Sequence, residues 1–257
     1  MNFKEKLLVA AKDHEISMSD RQAEQFDLFY HYLIEQNKVM NLTAIVEEDQ
    51  VIVKHFLDSI SCRRIVDMDK VTSIIDVGTG AGFPGIPLKI MYPEIKFVLI
   101  DSLNKRVKFL KNVIELLHLD EIEVYHGRAE DLARDPALRA GFDLCVSRAV
   151  ANLSTLSEYC IPFVRVNGYF VSYKAGKGLE EIKKSANCMK LLGSKIDQVL
   201  KFQLSMKGEE SESIMEEDFD QLDSNDEALR VLIRVKKLMG TSRKYPRKAG
   251  VPSKNPL

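Results

Sequence analysis

Apolar positions change their period at about residue 70. Before it they recur at helical spacing: Phe26, Phe29, Tyr30, Leu33 and Ile34 form one stripe, and Ser19 and Gln22, three apart, make a capping box ahead of it. Phe3, Leu7 and Leu8 form a weaker stripe upstream, and a short third helix is predicted over 51–65. That helix carries His55 and Asp58 three apart, a spacing that predicts a hydrogen-bonded structural pair ahead of a role in binding RNA. From Val71 onward short apolar runs alternate with helical stretches, which is the signature of an α/β protein with a parallel sheet covered on both faces. The runs lie at 74–77, 97–100, 122–125, 142–146 and 169–173, and two more at 196–204 and 228–235 bring the predicted strands to seven. In the helix after residue 101, Leu103, Val107, Leu110, Ile114 and Leu117 share one face, while Lys105, Arg106, Lys108 and Lys111 face water.

The first strand empties into Asp76-Val77-Gly78-Thr79-Gly80-Ala81-Gly82-Phe83-Pro84-Gly85. Glycines at this density let a backbone bend sharply or approach a ligand closely. The next strand ends in Asp101, the spacing at which an α/β sheet delivers a carboxylate to a ribose. A nucleoside cofactor is therefore expected. Gly80, Gly82 and Gly85 match a dinucleotide motif, yet Pro84 and Pro87 remove backbone donors that a pyrophosphate would use. Asp76, two residues before the first glycine, is read as lying near the ligand, where it suits a cation. S-adenosylmethionine carries a sulfonium and an ammonium and no phosphate, so it is favoured over NAD; a packing turn without a ligand is the bland alternative.

Hydrophobic residues make up 45% of the 257, enough for one full core. No apolar run approaches the roughly 20 residues of a membrane helix, and the first residues lack a signal peptide's apolar stretch, so a cytoplasmic location is expected. Cys62, Cys145, Cys160 and Cys188 have neither metal-ligand nor redox spacing and are read as reduced packing thiols. The net charge of −1 conceals a segregation: residues 208–227 hold ten acids and no base, so the remainder carries +9, ten units above the whole. That acidic stretch is predicted to be a long surface loop. The end of the chain, with Arg234, Lys236, Lys237, Arg243, Lys244, Arg247, Lys248 and Lys254 uninterrupted by an acid, is a nucleic-acid signal.

Several motifs together resemble the RsmG (GidB) family, bacterial methyltransferases that modify a guanine N7 in 16S, small-subunit, ribosomal RNA. They are Asn41-Leu42-Thr43, the run from His55 to Ser59, Asp76 through Pro87, Asp101-Ser102-Leu103 with Lys105 and Arg106, Ser147-Arg148-Ala149, and Tyr245-Pro246-Arg247-Lys248. The resemblance implies a seven-stranded, Rossmann-like class I S-adenosylmethionine-dependent methyltransferase fold. A helical extension over 1–70, a cofactor-binding domain over 71–240 and a basic tail over 241–257 would then form one compact unit. It implies cofactor contacts at Gly78, Phe83, Ala129, Glu130 and Arg148. Gly80 would let backbone pass close to the cofactor and Asp101 would hold its ribose. The tail residues Arg243, Lys244, Arg247 and Lys248 are expected to bind RNA, and the partner is small-subunit ribosomal RNA or the small subunit itself. A monomer without metal is expected.

Residues also speak to the reaction type. Enzymes acting on exocyclic amines end the fourth strand in an Asn/Asp-Pro-Pro-aromatic turn, whereas this chain has Ser147-Arg148-Ala149. Attack on a pyrimidine carbon needs a loop cysteine, but Cys145 falls in a predicted strand and Cys160 in a predicted helix. A guanine N7 already presents a lone pair and no proton, so neither a general base nor a nucleophile is expected, and no histidine falls among the strand-end motifs. Arg148 is assigned to binding, since an unneutralised cation beside a base that becomes cationic would slow the reaction. A non-catalytic RNA-binding assembly factor and an NAD-dependent reductase remain as alternatives.

Overall fold

The computed structural model describes residues 1–148, 151–175, 178–214 and 229–257. Among the described residues eight strands form one sheet: β1 (Ser73–Val77), β2 (Lys96–Asp101), β3 (Ile122–His126), β4 (Phe142–Arg148), β5 (Val164–Ala175), β6 (Ser194–Ser205), β7 (Gly208–Ile214) and β8 (Arg230–Lys237). Their order is β3-β2-β1-β4-β5-β8-β6-β7. The first five strands pair in parallel. β8, β6 and β7 then run antiparallel to their neighbours, beside the parallel part that the alternation of strands and helices predicts.

All seven predicted strands form, and the eighth comes from the stretch read as loop. Residues 208–214 turn back at Met206 and Lys207 and pair with the open edge of β6 from Val199↔Ile214 to Ser205↔Gly208. A free row of backbone donors and acceptors binds any extended neighbour. The rest of the acidic stretch, 215–227, lies outside the described residues.

Two layers cover the sheet. On one face, α1 (Phe3–Asp13) and α2 (Asp20–Met40) pack with the helical segment 48–64 and the helix Asn104–Leu116 in a core that joins Phe3, Phe26, Phe29 and Phe56 to Phe83, Ile86 and Leu110. The expected capping box closes α2, with Ser19 accepting from the Gln22 backbone and Gln22 reaching back. Residues 52–57 form a π-helical turn, with His55 buried in it and Asp58 buried just after it. Leu103, expected on the apolar face of its helix, is instead the exposed N-cap residue. The other face holds Ile75, Val77, Cys145 and Phe170 under the helices Leu153–Cys160 and Ala186–Leu192. All four cysteines are buried and free. Among the described residues no helix is long and apolar enough to cross a membrane.

Candidate functional site: a cleft at the strand ends

Alternation along β1 sends Ile75 and Val77 to one face and Asp76 to the other, beneath the helix Gly85–Met91. The Asp76 side chain is fully buried, and its Oδ2 accepts from Thr79 Oγ1 at 2.7 Å and from the Gly85 amide at 2.8 Å. It braces the glycine turn from below, so the expectation that it faces a cationic ligand is corrected by the pleat of the strand. Gly85 must be glycine, because a Cβ there would stand 2.4 Å from Leu99 Cδ2 and 2.8 Å from that same carboxylate oxygen. Gly80 has φ +62° and no atom within 4 Å of where a Cβ would stand, so its backbone lies open to the cleft.

Burial pushes the Asp76 carboxyl up to about 7, against the pull of its hydrogen bonds to Thr79 and Gly85. Its folded value therefore exceeds its unfolded one, so protonation favours folding. As pH rises from about 4 to about 7 the unfolded chain ionises first and stability falls, by a few kcal/mol from this group. Asp76→Asn is expected to flatten that part of the profile. Denaturant midpoints at several pH values would measure it, and parallel profiles for variant and parent would refute it.

Asp101 ties the turn to β2. Its Oδ1 accepts from the Leu103 amide at 2.8 Å, its Oδ2 from the Gly80 amide at 3.0 Å, and Arg106 approaches at 3.5 Å. Around this carboxylate lie two adjoining cavities of about 420 and 230 Å3, which share Gly78, Asp101 and Ser102. The larger is also lined by Gly80, Phe83 and Arg148, the smaller by Ala129, Glu130 and Tyr159. All seven residues expected to contact a cofactor thus border one cleft outside the carboxyl ends of the strands, where open α/β sheets bind ligands. Tyr159 was not legible beforehand, because it reaches the cleft from a helix on the sheet's other face.

Arg148, at the end of β4, closes the larger cavity. Its Nη1 donates to Asp58 Oδ2 at 3.0 Å and to the Lys54 carbonyl at 3.1 Å, and its guanidinium lies 4.9 Å from the centre of the Phe83 ring. Its Nη2 lies 3.3 Å from His55 Nδ1, which is also 3.2 Å from the Lys54 carbonyl, and His55 Nε2 is hydrogen-bonded to Thr43 Oγ1 at 2.8 Å. His55 also stacks on Phe83, with ring centroids 4.6 Å apart. The expected His55–Asp58 pair is corrected here: each meets Arg148. His55 also lines the cleft, from the helical segment before β1 rather than from a strand end. Burial first, and then the Arg148 charge, lowers its pKa to about 3, so it is neutral and a poor base at physiological pH.

The chain matches the model of the GidB family, rRNA small subunit methyltransferase G, over residues 22–213. It belongs to this family. Relatives described as ribosomal RNA small subunit methyltransferase G include one from Clostridium kluyveri, 43% identical over the whole of both chains, and one from Brevibacillus brevis, 45% identical over 94% of each. Among solved structures, an O-methyltransferase from Bacillus cereus in complex with SAH matches with TM-score 0.53 and 14% identity, covering 81% of this chain and 90% of that one. A SAM-dependent methyltransferase from Aquifex aeolicus matches with TM-score 0.51 and 13% identity, covering 80% and 98%. At such identities these two show the fold, which is that of the class I methyltransferases.

In this family member the basic end is less free than its sequence implied. Arg234 pairs with Asp197, and Lys237 is buried, donating to the carbonyls of Ile161 and Val164. Arg247, expected to bind RNA, turns inward: its Nε and Nη2 grip both oxygens of the fully buried Glu158 at 2.7–3.1 Å, and its amide donates to the same carboxylate. The Gly250 amide donates to Glu130 Oε1 at 2.9 Å, and Thr155 Oγ1 donates to the Pro252 carbonyl at 3.0 Å. Residues 245–252 are therefore a strap across the helix Leu153–Cys160 that reaches the cleft at Glu130. Arg243, Lys244 and Lys248 stay exposed.

Proposed function

We propose that this chain transfers the methyl group of S-adenosylmethionine to N7 of a guanine in small-subunit ribosomal RNA, as a cytoplasmic monomer acting on the RNA or on the subunit. The observation that carries the reading is the strand-end cleft, whose walls combine open backbone at Gly80, the Asp101 carboxylate and the Phe83 ring in a member of a ribosomal RNA methyltransferase family. Those walls offer a nucleoside open backbone, a carboxylate and an aromatic ring. The cofactor's sulfonium supplies the electrophile. Gly78, Gly80, Phe83, Asp101, Ala129 and Glu130 hold and orient it, and fixing both reactants in line is worth about 7–11 kcal/mol of barrier.

Arg148 shapes the boundary of the cleft, and Asp58 at 3.0 Å offsets its charge, which removes the penalty a bare cation would impose on a base becoming cationic. Arg243, Lys244 and Lys248 contact phosphates, while Arg247 positions the strap. No step needs a proton acceptor. Single-turnover methyl transfer at saturating RNA and cofactor is accordingly expected to be nearly flat between about pH 6 and 8.5, since general-base catalysis leaves a titration near the pKa of the base. Labelled methyl should map to N7 of one guanine in small-subunit RNA. Steep pH dependence of the chemical step, or label on an exocyclic amine or ring carbon, would exclude the mechanism. RNA binding without methyl incorporation would favour the assembly factor, and binding of NAD in place of S-adenosylmethionine would favour the reductase.

A further inference from the structure

A second cavity, of about 370 Å3, adjoins the cofactor cleft and shares two of its walls, His55 and Arg148. Its size lies within the roughly 300–1,000 Å3 of small-molecule sites. Ile45 and the ring of Phe202 supply apolar surface, and Lys54 stands exposed at the rim. Asp58 also borders it, between two guanidiniums. Its Oδ2 takes the Arg148 hydrogen bond at 3.0 Å, while its Oδ1 lies 3.7 Å from Arg230 Nε, beyond hydrogen-bonding range, and accepts nothing from the described residues. An anion alone is disfavoured there by that carboxylate, and a metal ion by the flanking guanidiniums. The wall instead presents an acceptor beside strong donors, next to an apolar surface. A guanine edge is the complement, because its N1–H and N2–H2 donors stand beside the O6 acceptor. Adenine offers an acceptor at N1 and a donor at the neighbouring position, the reverse pattern. Unpaired RNA bases are read in this way, by their edges and by stacking.

We infer that this cavity is the site for the acceptor guanine, with Asp58 accepting from N1–H and N2–H2 and a flanking guanidinium donating to O6. The inference rests on the methyl-transfer reading and adds to it the group that selects the base. An enzyme acting on one base of a folded RNA must take it out of the stack, and a pocket beside the cleft receives it.

The test is a calorimetric titration of the full-length chain, saturated with S-adenosylhomocysteine, with guanosine, inosine and adenosine 5′-monophosphates. Guanosine monophosphate should bind at least about tenfold more tightly than adenosine monophosphate. Inosine monophosphate, which keeps N1–H and lacks the 2-amino group, should fall between them. Asp58→Asn should bring the guanosine and adenosine nucleotides to within about threefold, or roughly 0.7 kcal/mol. Because Asp58 is buried and its variant can fail to fold, Arg230→Ala serves as the second variant and should weaken the guanosine nucleotide more than the adenosine one. Equal binding of the two nucleotides to the parent chain, no saturable binding of guanosine monophosphate, or an unchanged preference in folded Asp58→Asn would overturn the assignment. Methyl incorporation into small-subunit RNA by the same preparation separates the two readings. Incorporation without a guanine preference defeats only the base site, and failure to bind S-adenosylhomocysteine defeats both.

Discussion

Arg247→Ala is expected to lower the melting temperature by roughly 6–20 °C. Glu158 has no exposed surface, and Arg247 is the cation gripping both its oxygens. Removing one partner of a buried pair strands the other charge in a medium that solvates it poorly, at a cost of about 3–5 kcal/mol. For a chain of this size each kcal/mol moves the midpoint by about 2–4 °C. The Arg247 amide still donates to Glu158 in the variant, so the lower half of the range is the firmer expectation. A double variant, Arg247→Ala with Glu158→Gln, should recover part of the loss, because the stranded group is then neutral. Deleting 241–257 should go further and weaken S-adenosylhomocysteine binding, since the Gly250 amide no longer holds Glu130 at the cleft. A free tail would predict the opposite, an unchanged cofactor affinity. Calorimetry and thermal melts on the three proteins decide it: an Arg247→Ala midpoint within 2 °C of the parent, or a truncated chain with full affinity, would sink the strap.

Asp101→Ala should weaken S-adenosylhomocysteine binding by about ten- to a hundredfold while leaving the fold in place. The carboxylate acts twice. It accepts from the amides of Gly80 and Leu103, which fixes the glycine turn against the start of the next helix, and it borders both halves of the cleft where a ribose is expected. Each unsatisfied polar group in such a site costs about 1–3 kcal/mol, and 1.4 kcal/mol is a factor of ten in affinity. Asp101→Asn retains one oxygen acceptor and should fall between parent and alanine variant. An alanine variant that binds with parental affinity by titration calorimetry would remove Asp101 from the cofactor site.

These two residues mark how far the sequence reaches. The place of Asp101 at the strand ends was legible because it is local in chain logic: an apolar run, an acid at its end, and a glycine turn one strand earlier put it at the crevice of any α/β sheet. The seven strands, the capping box at Ser19 and the burial of the four cysteines follow from period, caps and spacing in the same way. Arg247 was misread because charge in a sequence carries no direction. Only packing shows that its guanidinium meets Glu158, 89 residues earlier, rather than solvent.

The same distinction separates the two carboxylates of the first strand and the third helix. Asp76 looked ligand-facing from its distance to the glycines, yet the two-residue alternation of β1 turns it under the helix Gly85–Met91, where desolvation and two hydrogen bonds govern it. Asp58 and His55 looked like partners of each other at three residues' separation. A π-helical turn and the arrival of β4 give both of them to Arg148, and with it create the wall between the two cavities. Edge pairing of β7 and the burial of Lys237 belong with these, since each depends on which surface a neighbour leaves open. Hydrophobic periodicity and glycine placement act within a few residues, so the sequence determined the elements, their order and the turn that makes the cleft. Long-range hydrogen bonds and ion pairs are set by which faces the packed elements present to one another, so only the tertiary structure decided which charges face the cleft and which hold it together.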